Sequence, residues 1–346
     1  MKVTIRDVAK EAGVSEAAVS FAVNGTGSLS AETRERILQA ANRLNYQPSM
    51  AAKGLARSRI NTVGLVIPKP GLDFVQFVGM DIISGFGMVA SEMSYNILLV
   101  WEEDDNSSKV RDLVLSGTVS GLAFFLPQSN LPLFRELNDR NFPYVLMSKP
   151  PEGLHCNWVD VDNMDAAYQC TLRLIQAGHR RIAFISPGPS SYLVSADRLA
   201  GYREALLNHG LPCPEQYMYS GTGSIESGKD AMKQFLAQPD RPTAIVAGSS
   251  IVSIGAIETA KEAGLSVPEH ISLITFDNSS ISESHRLTAV DIPTYEIAQR
   301  SARLLFRRMP HNRSGRRMEN EQVIVQPKWV IRNSFDLAVP FFAAED

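Results

Sequence analysis

The 346-residue sequence is short of the groups that most often carry cross-links, metals or catalysis. Its three cysteines, Cys156, Cys170 and Cys213, are odd in number and widely spaced, which argues against a disulfide framework or a zinc site and fits a reducing compartment. No run approaches the ~18 apolar residues that a membrane span needs. The start, MKVTIRDVAK, is charged and leaves no room for the apolar core of a secretory signal, so a cytoplasmic protein is expected. The six histidines are scattered, none at metal-ligand spacing, and His179 in GHRR suits a helix end beside the macrodipole. There is no G-x-S-x-G elbow, and no nucleophile, base and orienting acid occur together. The expectation is therefore no enzyme, no cofactor and no metal.

Two partial motifs do not change this. Gly85, Gly87 and Ala90 match the dinucleotide pattern G-x-G-x-x-A, but they lie inside MDIISGFGMVASEM, whose periodicity is helical, and not directly after a strand. Close helix packing is the better account. Asp160, Asp162 and Asp165 imitate the start of a calcium loop, yet the sixth position is not glycine and Thr171 stands where the bidentate glutamate belongs. A structural role fits them better.

What the chain does have is an uneven charge distribution. The first 60 residues hold nine Lys or Arg against five acids, a formal +4, whereas the whole chain is at -3. A basic head on an acidic body suggests that only the head meets a polyanion. Within that head, Thr4 is a good helix N-cap with Asp7 three positions on, and Val8, Ala9 and Ala12 give an apolar stripe. Gly13 permits the positive φ of a tight turn, and Ser15 caps a second helix with Val19, Ala22 and Val23 inward. Glu16, Ala17, Ser20 and Phe21 then face outward. This is a helix-turn-helix frame, the arrangement that lays a recognition helix in the major groove.

Ser30 caps a third predicted helix, whose Ile37, Leu38, Ala41 and Leu44 would close a three-helix core. Pro48 biases Gln47 away from helix, and Ser49 can cap a short segment, MAAKGLARS. That segment is too small to fold alone and contains Gly54, so its order should depend on a partner. Leu55 on so basic a stretch looks like an apolar wedge for a minor-groove step. Beyond it, short apolar runs (Val63 to Ile67, Ile97 to Trp101, Leu122 to Phe125, Tyr144 to Met147, Ile182 to Ile185, Ala244 to Ala247, Ile271 to Phe276) alternate with helical segments. Such alternation predicts parallel sheets covered by helices. The amphipathic stretch Tyr295 to Met309 would be a late crossover helix.

The stretches TIRDVAKEAGVS, AAVSFAVN, LSAETRERILQAANRLNYQPS and GLARSR resemble the headpiece and hinge of the LacI/GalR family of transcriptional regulators. TVGLVIP, SGLAFF, VDVDNMDAAYQ, AGHRRIAFISP, RLAGYREAL, PTAIVAG, SVPEHISLITFDN and IPTYEIAQRSARLLF follow in that family's order. The resemblance implies an all-α helix-turn-helix headpiece with a hinge helix, then a two-lobed α/β body like a periplasmic binding protein, with parallel sheets and three crossings between lobes. It places the headpiece at 1–48, the hinge at 49–60 and the effector-binding and dimerisation domain at 61–346. The first lobe would be about 61–161 with 292–322, and the second 162–291 with 323–346.

By the same resemblance, Thr4, Ser15, Ser20, Asn24, Ser30, Thr33 and Tyr46 match backbone-positioning places on DNA, and Ala52 and Leu55 match hinge residues that enter the minor groove. Glu16, Ala17 and Phe21 stand at the base-reading places and depart from the family's usual residues there. In the cleft, Arg198 in ADRLAGY matches the arginine that forks onto ligand hydroxyls, and Asp277 in TFDN matches the carboxylate that accepts from them, a pair suited to a sugar. Three other anchors differ: Ser148 and Lys149 replace a common acid, Gly223 replaces a stacking aromatic, and Gly248 with Ser249 replaces an Asn-Asp pair. Phe74, Tyr192 and Trp101 could supply another face, and Lys149 would allow an anionic ligand.

The expectation is a homodimeric repressor on double-stranded DNA, binding a pseudopalindromic operator under the control of a small, carbohydrate-related effector. A transporter's solute-binding protein would need an export signal and have no use for residues 1–57; a sugar-processing enzyme would need a catalytic set. The tail after Arg332 has no leucine heptads and so offers no tetramerising coiled coil.

Overall fold

The computed structural model describes residues 3–24, 27–46, 61–68, 73–102, 108–309 and 319–335, with Asn24, 73–78 and Glu102 described in backbone only. They fall into two compact units, Met1–Asn61 and Thr62–Asp346. The hinge positions Ala52 and Leu55 and the tail beyond Phe335 lie outside the described residues.

In the first unit, α1 (Ile5–Ala12), α2 (Glu16–Asn24) and α3 (Ala31–Arg43) enclose Val8, Ala9, Ala12, Val19, Ala22, Ile37, Ala40 and Ala41. Alanines at these places let the helices approach closely, and the core is correspondingly small. Each helix start is chemically marked. The Asp7 carboxylate accepts from the Thr4 backbone N–H at 2.8 Å and from its hydroxyl at 2.7 Å. The Ser15 hydroxyl accepts from Ala18 N–H, and Ser30 from Thr33 N–H, both at 3.2 Å. Gly13 ends α1 at φ 63°, a left-handed turn that a side chain would strain. One expected core residue is corrected: Leu38 is exposed and Ala40 is buried instead. Ile37, Ala40, Ala41 and Leu44 follow the helical spacing of three, four and seven, and Leu38 stands one position off that stripe.

The second unit holds two six-stranded sheets. The first contains β1 (Thr62–Pro68), β2 (Asn96–Glu102), β3 (Leu122–Phe125), β4 (Tyr144–Met147), β5 (Asn157–Asp160) and β11 (Gln322–Ile324), in the order β2-β1-β3-β4-β5-β11. All its pairings are parallel. The second contains β6 (Ile182–Ile185), β7 (Met218–Tyr219), β8 (Ala244–Ala247), β9 (Ser272–Phe276), β10 (Thr288–Asp291) and β12 (Lys328–Val330), in the order β7-β6-β8-β9-β10-β12. Only β12 runs antiparallel. Each sheet therefore repeats the doubly wound order 2-1-3-4-5 and adds one late strand at its edge. Val63, Leu65, Phe124 and Val145 are buried, as are Ile182, Phe184, Ile245 and Ile274, because helices cover both faces.

α4 (Asp73–Glu92) and α12 (Thr294–Arg308) pack together on the first sheet. A Cβ on Gly85 would lie 2.5 Å from the Tyr295 carbonyl oxygen, so this glycine serves helix packing. α7 (Asn163–Gln176) and α8 (Leu193–Asn208) pair on the second lobe, as do α9 (Ile225–Leu236) and α10 (Ser250–Glu262). The chain passes between lobes after β5, after β10 and at 325–327. The third passage falls a few residues beyond the expected 322–323, because Gln322, Val323 and Ile324 still pair with β5.

Candidate functional site

On the headpiece, the residues expected to meet DNA form a capped, partly braced surface. Glu16 and Ala17 open α2 and are exposed, and Ser20 is half-buried. The Arg6 guanidinium donates to Glu16 at 3.0 Å, which ties down the carboxylate expected at a base-reading place. Phe21 is 43% exposed, and its ring lies against Gly27. The Ser30 hydroxyl also donates to that of Thr33 at 2.8 Å. Tyr46 is half-buried against the headpiece core, and that burial raises its phenol above the usual range. Thr4 is exposed at the start of α1.

In the body, the strands of both sheets end at one cavity, as ligand sites of open parallel sheets do. Phe125 and Leu126 follow from β3, Met147 and Ser148 from β4, Asp160 from β5, Pro187 from β6, Ser249 from β8, Asp277 from β9 and Ile292 from β10. Helices add Ile82, Asn163, Val194, Arg198, Thr294 and Ile297. The space free of atoms among these residues, open solvent included, is about 580 Å³. Four of the five sequence-predicted effector residues, Arg198, Asp277, Ser148 and Ser249, line it together. The side chain of Phe74 is outside the described residues. Tyr192 is buried instead beside Leu126 and Ile281, and Trp101 is exposed on the edge strand β2. Neither lines the cavity, and Lys149, exposed, does not line it either.

Arg198 organises the polar side. Its Nε donates to Asn163 Oδ1 at 2.9 Å, its Nη1 to the Gly248 carbonyl at 2.6 Å, and its guanidinium lies 3.8 Å from the centroid of the Phe276 ring. Burial pulls its pKa down, while Asp277 and Asp160 pull it up, and the group stays charged. Asp160, also buried, accepts from Lys149 N–H at 3.0 Å, Val161 N–H at 2.8 Å and Asn163 Nδ2 at 3.0 Å. Burial nevertheless raises its pKa to about 6. Asp160, Asn163 and Arg198 thus form a brace across the first crossing between lobes. Asp277 is raised by burial, with Arg198 opposing the shift. Among the described residues no hydrogen-bond donor reaches its carboxylate. The Ser249 hydroxyl is spent on capping α10, accepting from Val252 N–H at 3.5 Å.

At Gly223 and Gly248, which stand in for a stacking aromatic and the first residue of an Asn-Asp pair, a side chain would meet one obstacle. A Cβ on Gly223 would run into the Pro187 carbonyl oxygen, and one on Gly248 would strike the Pro187 ring and lie 2.7 Å from the Ile185 carbonyl. Pro187, placed at the end of β6, occupies the volume that side chains at those positions would need. Sequence reasoning also missed Asp160 and Asn163 as cavity residues, although their place at and just past the end of a strand in VDVDN was a usable sign, and it missed the wall of Ile82, Met147 and Ile297.

A helix-turn-helix unit joined to a two-lobed body with a cavity between its sheets defines a class: DNA-binding regulators that carry a ligand-binding body. Residues 4–49 match the family model "Bacterial regulatory proteins, lacI family", and residues 171–335 match "Periplasmic binding protein-like domain". The chain is 34% identical to catabolite control protein A of Priestia megaterium over 314 residues, which is 89% of this chain and 93% of that protein. It is 31% identical to the HTH-type transcriptional regulator CelR of Thermobifida fusca over 338 residues, 96% and 98% of the two chains. Among solved structures, a CelR–cellobiose complex matches with a TM-score of 0.71 at 30% identity, covering 96% of this chain and all of that one. The chain belongs to the LacI family, and it is a DNA-binding transcriptional regulator.

Proposed function

We propose that this regulator is a cytoplasmic, homodimeric repressor without catalytic activity, and that a neutral, carbohydrate-related effector bound between the lobes sets its affinity for a pseudopalindromic operator. The observation that carries this reading is the cavity itself. Its wall is drawn from the carboxyl ends of strands in both sheets, so a ligand there touches both lobes at once. Such a ligand changes their relative posture to the extent that it binds one posture better than another. Coupling of ~1 to 3 kcal/mol would change operator affinity by roughly 5- to 150-fold.

Arg198, whose Nη2 is uncommitted, and Asp277 offer a donor beside an acceptor, the pairing that suits a diol. The relative CelR has been seen with cellobiose, which favours a sugar here. Two copies of the headpiece would present two recognition helices to a symmetric site. Exposed Met80 and Met88 on α4, and Leu99 and Trp101 on the edge strand β2, offer apolar surface for pairing within the first lobe.

The test is a gel-retardation assay at low ionic strength with DNA from the gene's own chromosomal neighbourhood, with and without a panel of sugars. Retardation that one sugar weakens or strengthens at least about fivefold is expected. Removing residues 1–57 should abolish DNA binding and leave sugar binding in place. An intact protein that retards none of these fragments under any condition would overturn the reading.

A further inference from the structure

A second cavity lies at the amino ends of β4 and β5, and it shares no lining residue with the one between the lobes. Tyr144 opens β4, Asn157 opens β5, Arg308 ends α12 and Asn320 precedes β11. The space free of atoms there is about 460 Å³, open solvent included. Its donors outnumber their partners. Arg308 gives Nη2 to Asn320 Oδ1, and among the described residues its Nε and Nη1 meet no acceptor. Asn157 accepts from Glu321 N–H through Oδ1 at 2.8 Å, and Asn320 likewise accepts through Oδ1, so both keep their amide N–H groups. Among the described residues no Asp or Glu lines the cavity. Glu321 is paired with Arg307 at 3.0 Å, and Glu319 is exposed. The floor is neutral too, since burial pushes the Tyr144 phenol far up and the Cys156 thiol up to about 12.

We propose that this cavity is a second binding site, for a small anion of the phosphate class, either the free ion or a monoester. Arg308 supplies the charge, and the amide groups of Asn157 and Asn320 supply neutral donors. Hydrogen bonds from a guanidinium to an oxyanion are of the strong, charge-assisted kind. The donors come from three separate segments, α12, β5 and the approach to β11, which suits an anion with three or four oxygens better than the two of a carboxylate. A metal cation would meet a guanidinium and no acid. A neutral polyol would leave the charge of Arg308 unmatched. The site is also placed to act on the other cavity. The first turn of α12 lines that cavity through Thr294 and Ile297, and its last residue is Arg308. An anion at one end and an effector at the other therefore bear on one helix.

The experiment is thermal unfolding of the full chain at neutral pH and constant ionic strength, with chloride replaced stepwise by phosphate, glycerol phosphate or acetate. Phosphate or its monoester is expected to raise the midpoint saturably, with half the effect reached below about 5 mM, and acetate is expected not to. The stronger of the two phosphate forms identifies the source, free ion or ester. Arg308→Gln should remove the saturable rise while shifting the midpoint in chloride by about 2 °C or less, because the side chain is half-buried and loses one hydrogen bond. Arg300→Gln, exposed on the same helix, should keep the full response. Should Arg308→Gln fail to fold, Asn157→Asp retains the acceptor for Glu321 N–H and sets a carboxylate beside Arg308, and it too should abolish the rise. A rise that survives these variants belongs to the cationic headpiece or to Arg198 and overturns the proposal. So does a phosphate response no larger than that of acetate. Neither result depends on what the cavity between the lobes binds.

Discussion

The two lobes share a strand order yet treat the cavity differently. In the second lobe, the carboxyl ends of the strands and the adjoining helices deliver Arg198, Asp277, Asn163 and Ser249. In the first, the same topological positions deliver Phe125, Leu126, Met147 and Ser148, joined by Ile82, Thr294 and Ile297 from helices. One wall offers hydrogen-bonding and charged groups, and the other is mostly apolar. The backbone plan decides where a ligand can sit, and the side chains at the strand ends decide what it is. Asp160 sits at the junction, placed by β5 of the first lobe but bonded through Asn163 to Arg198 of the second.

The severest way to break this division is to remove the polar anchor. Arg198→Ala deletes the bonds to Asn163 and Gly248 and the stack on Phe276, and it leaves Asp160 and Asp277 buried without their counter-charge. Loss of about 3 to 5 kcal/mol of stability is expected, as for a buried charge network stripped of one partner, along with loss of ligand binding. Denaturant unfolding and calorimetry would show both. Unchanged stability would mean that the brace holds nothing together.

A smaller effect should come from the junction acid. Asp160 is held at about 6 against an ordinary 3.8, so between those values the folded chain binds more protons than the unfolded one. Unfolding free energy therefore declines as pH rises through that window, by roughly 3 kcal/mol in total, and is flat above it. Asp277, also raised by burial, adds in the same direction. Urea unfolding of the wild type from pH 4 to 7 should show the decline. Asp160→Asn should flatten it to the share of Asp277 and Asp197, both raised by burial, while lowering stability at pH 4 because an amide cannot accept all three donors.

The headpiece was the more legible region because its signals are local. Thr4, Ser15 and Ser30 announce helix starts within three or four residues, and all three make capping interactions. Its one misplaced core residue, Leu38, reflects reading size where spacing governed. In the body, strands that are uniformly apolar, such as LAFF and IAFI, were legible, whereas β5 was not, because NWVD has a polar residue at each end. Strands β10, β11 and β12 are also short and partly polar. For the cavity, residues tied to a motif were found, and those that depend on distant approach were not. Nothing near Gly223 or Gly248 in sequence says that Pro187 fills the space beside them. The apolar wall was equally hidden, since Ile82, Met147 and Ile297 look like ordinary core residues until the strand ends are brought together.

The mildest prediction concerns Ser148, which the family resemblance set in the place of a common acid and which was expected to contact the effector. It lines the cavity and is buried, yet its hydroxyl donates only to the neighbouring Lys149 carbonyl at a long 3.4 Å. If the first-lobe wall works by excluding water, this hydroxyl is a minor member of it. Ser148→Ala should change stability by about 0.5 kcal/mol or less, since little more than a weak bond is lost. Affinity for a sugar should shift less than about threefold, because the substituted methyl leaves no strong donor unpaired on either side. Ser148→Asp should behave differently, placing a further carboxylate on a wall that already holds the buried, proton-retaining Asp160. Like charges in one low-dielectric site raise each other's pKa, so this variant should steepen the loss of stability between pH 4 and 7. A large affinity loss in Ser148→Ala would show that the first lobe also recognises by hydrogen bonding, and the contrast between the walls would have to be redrawn.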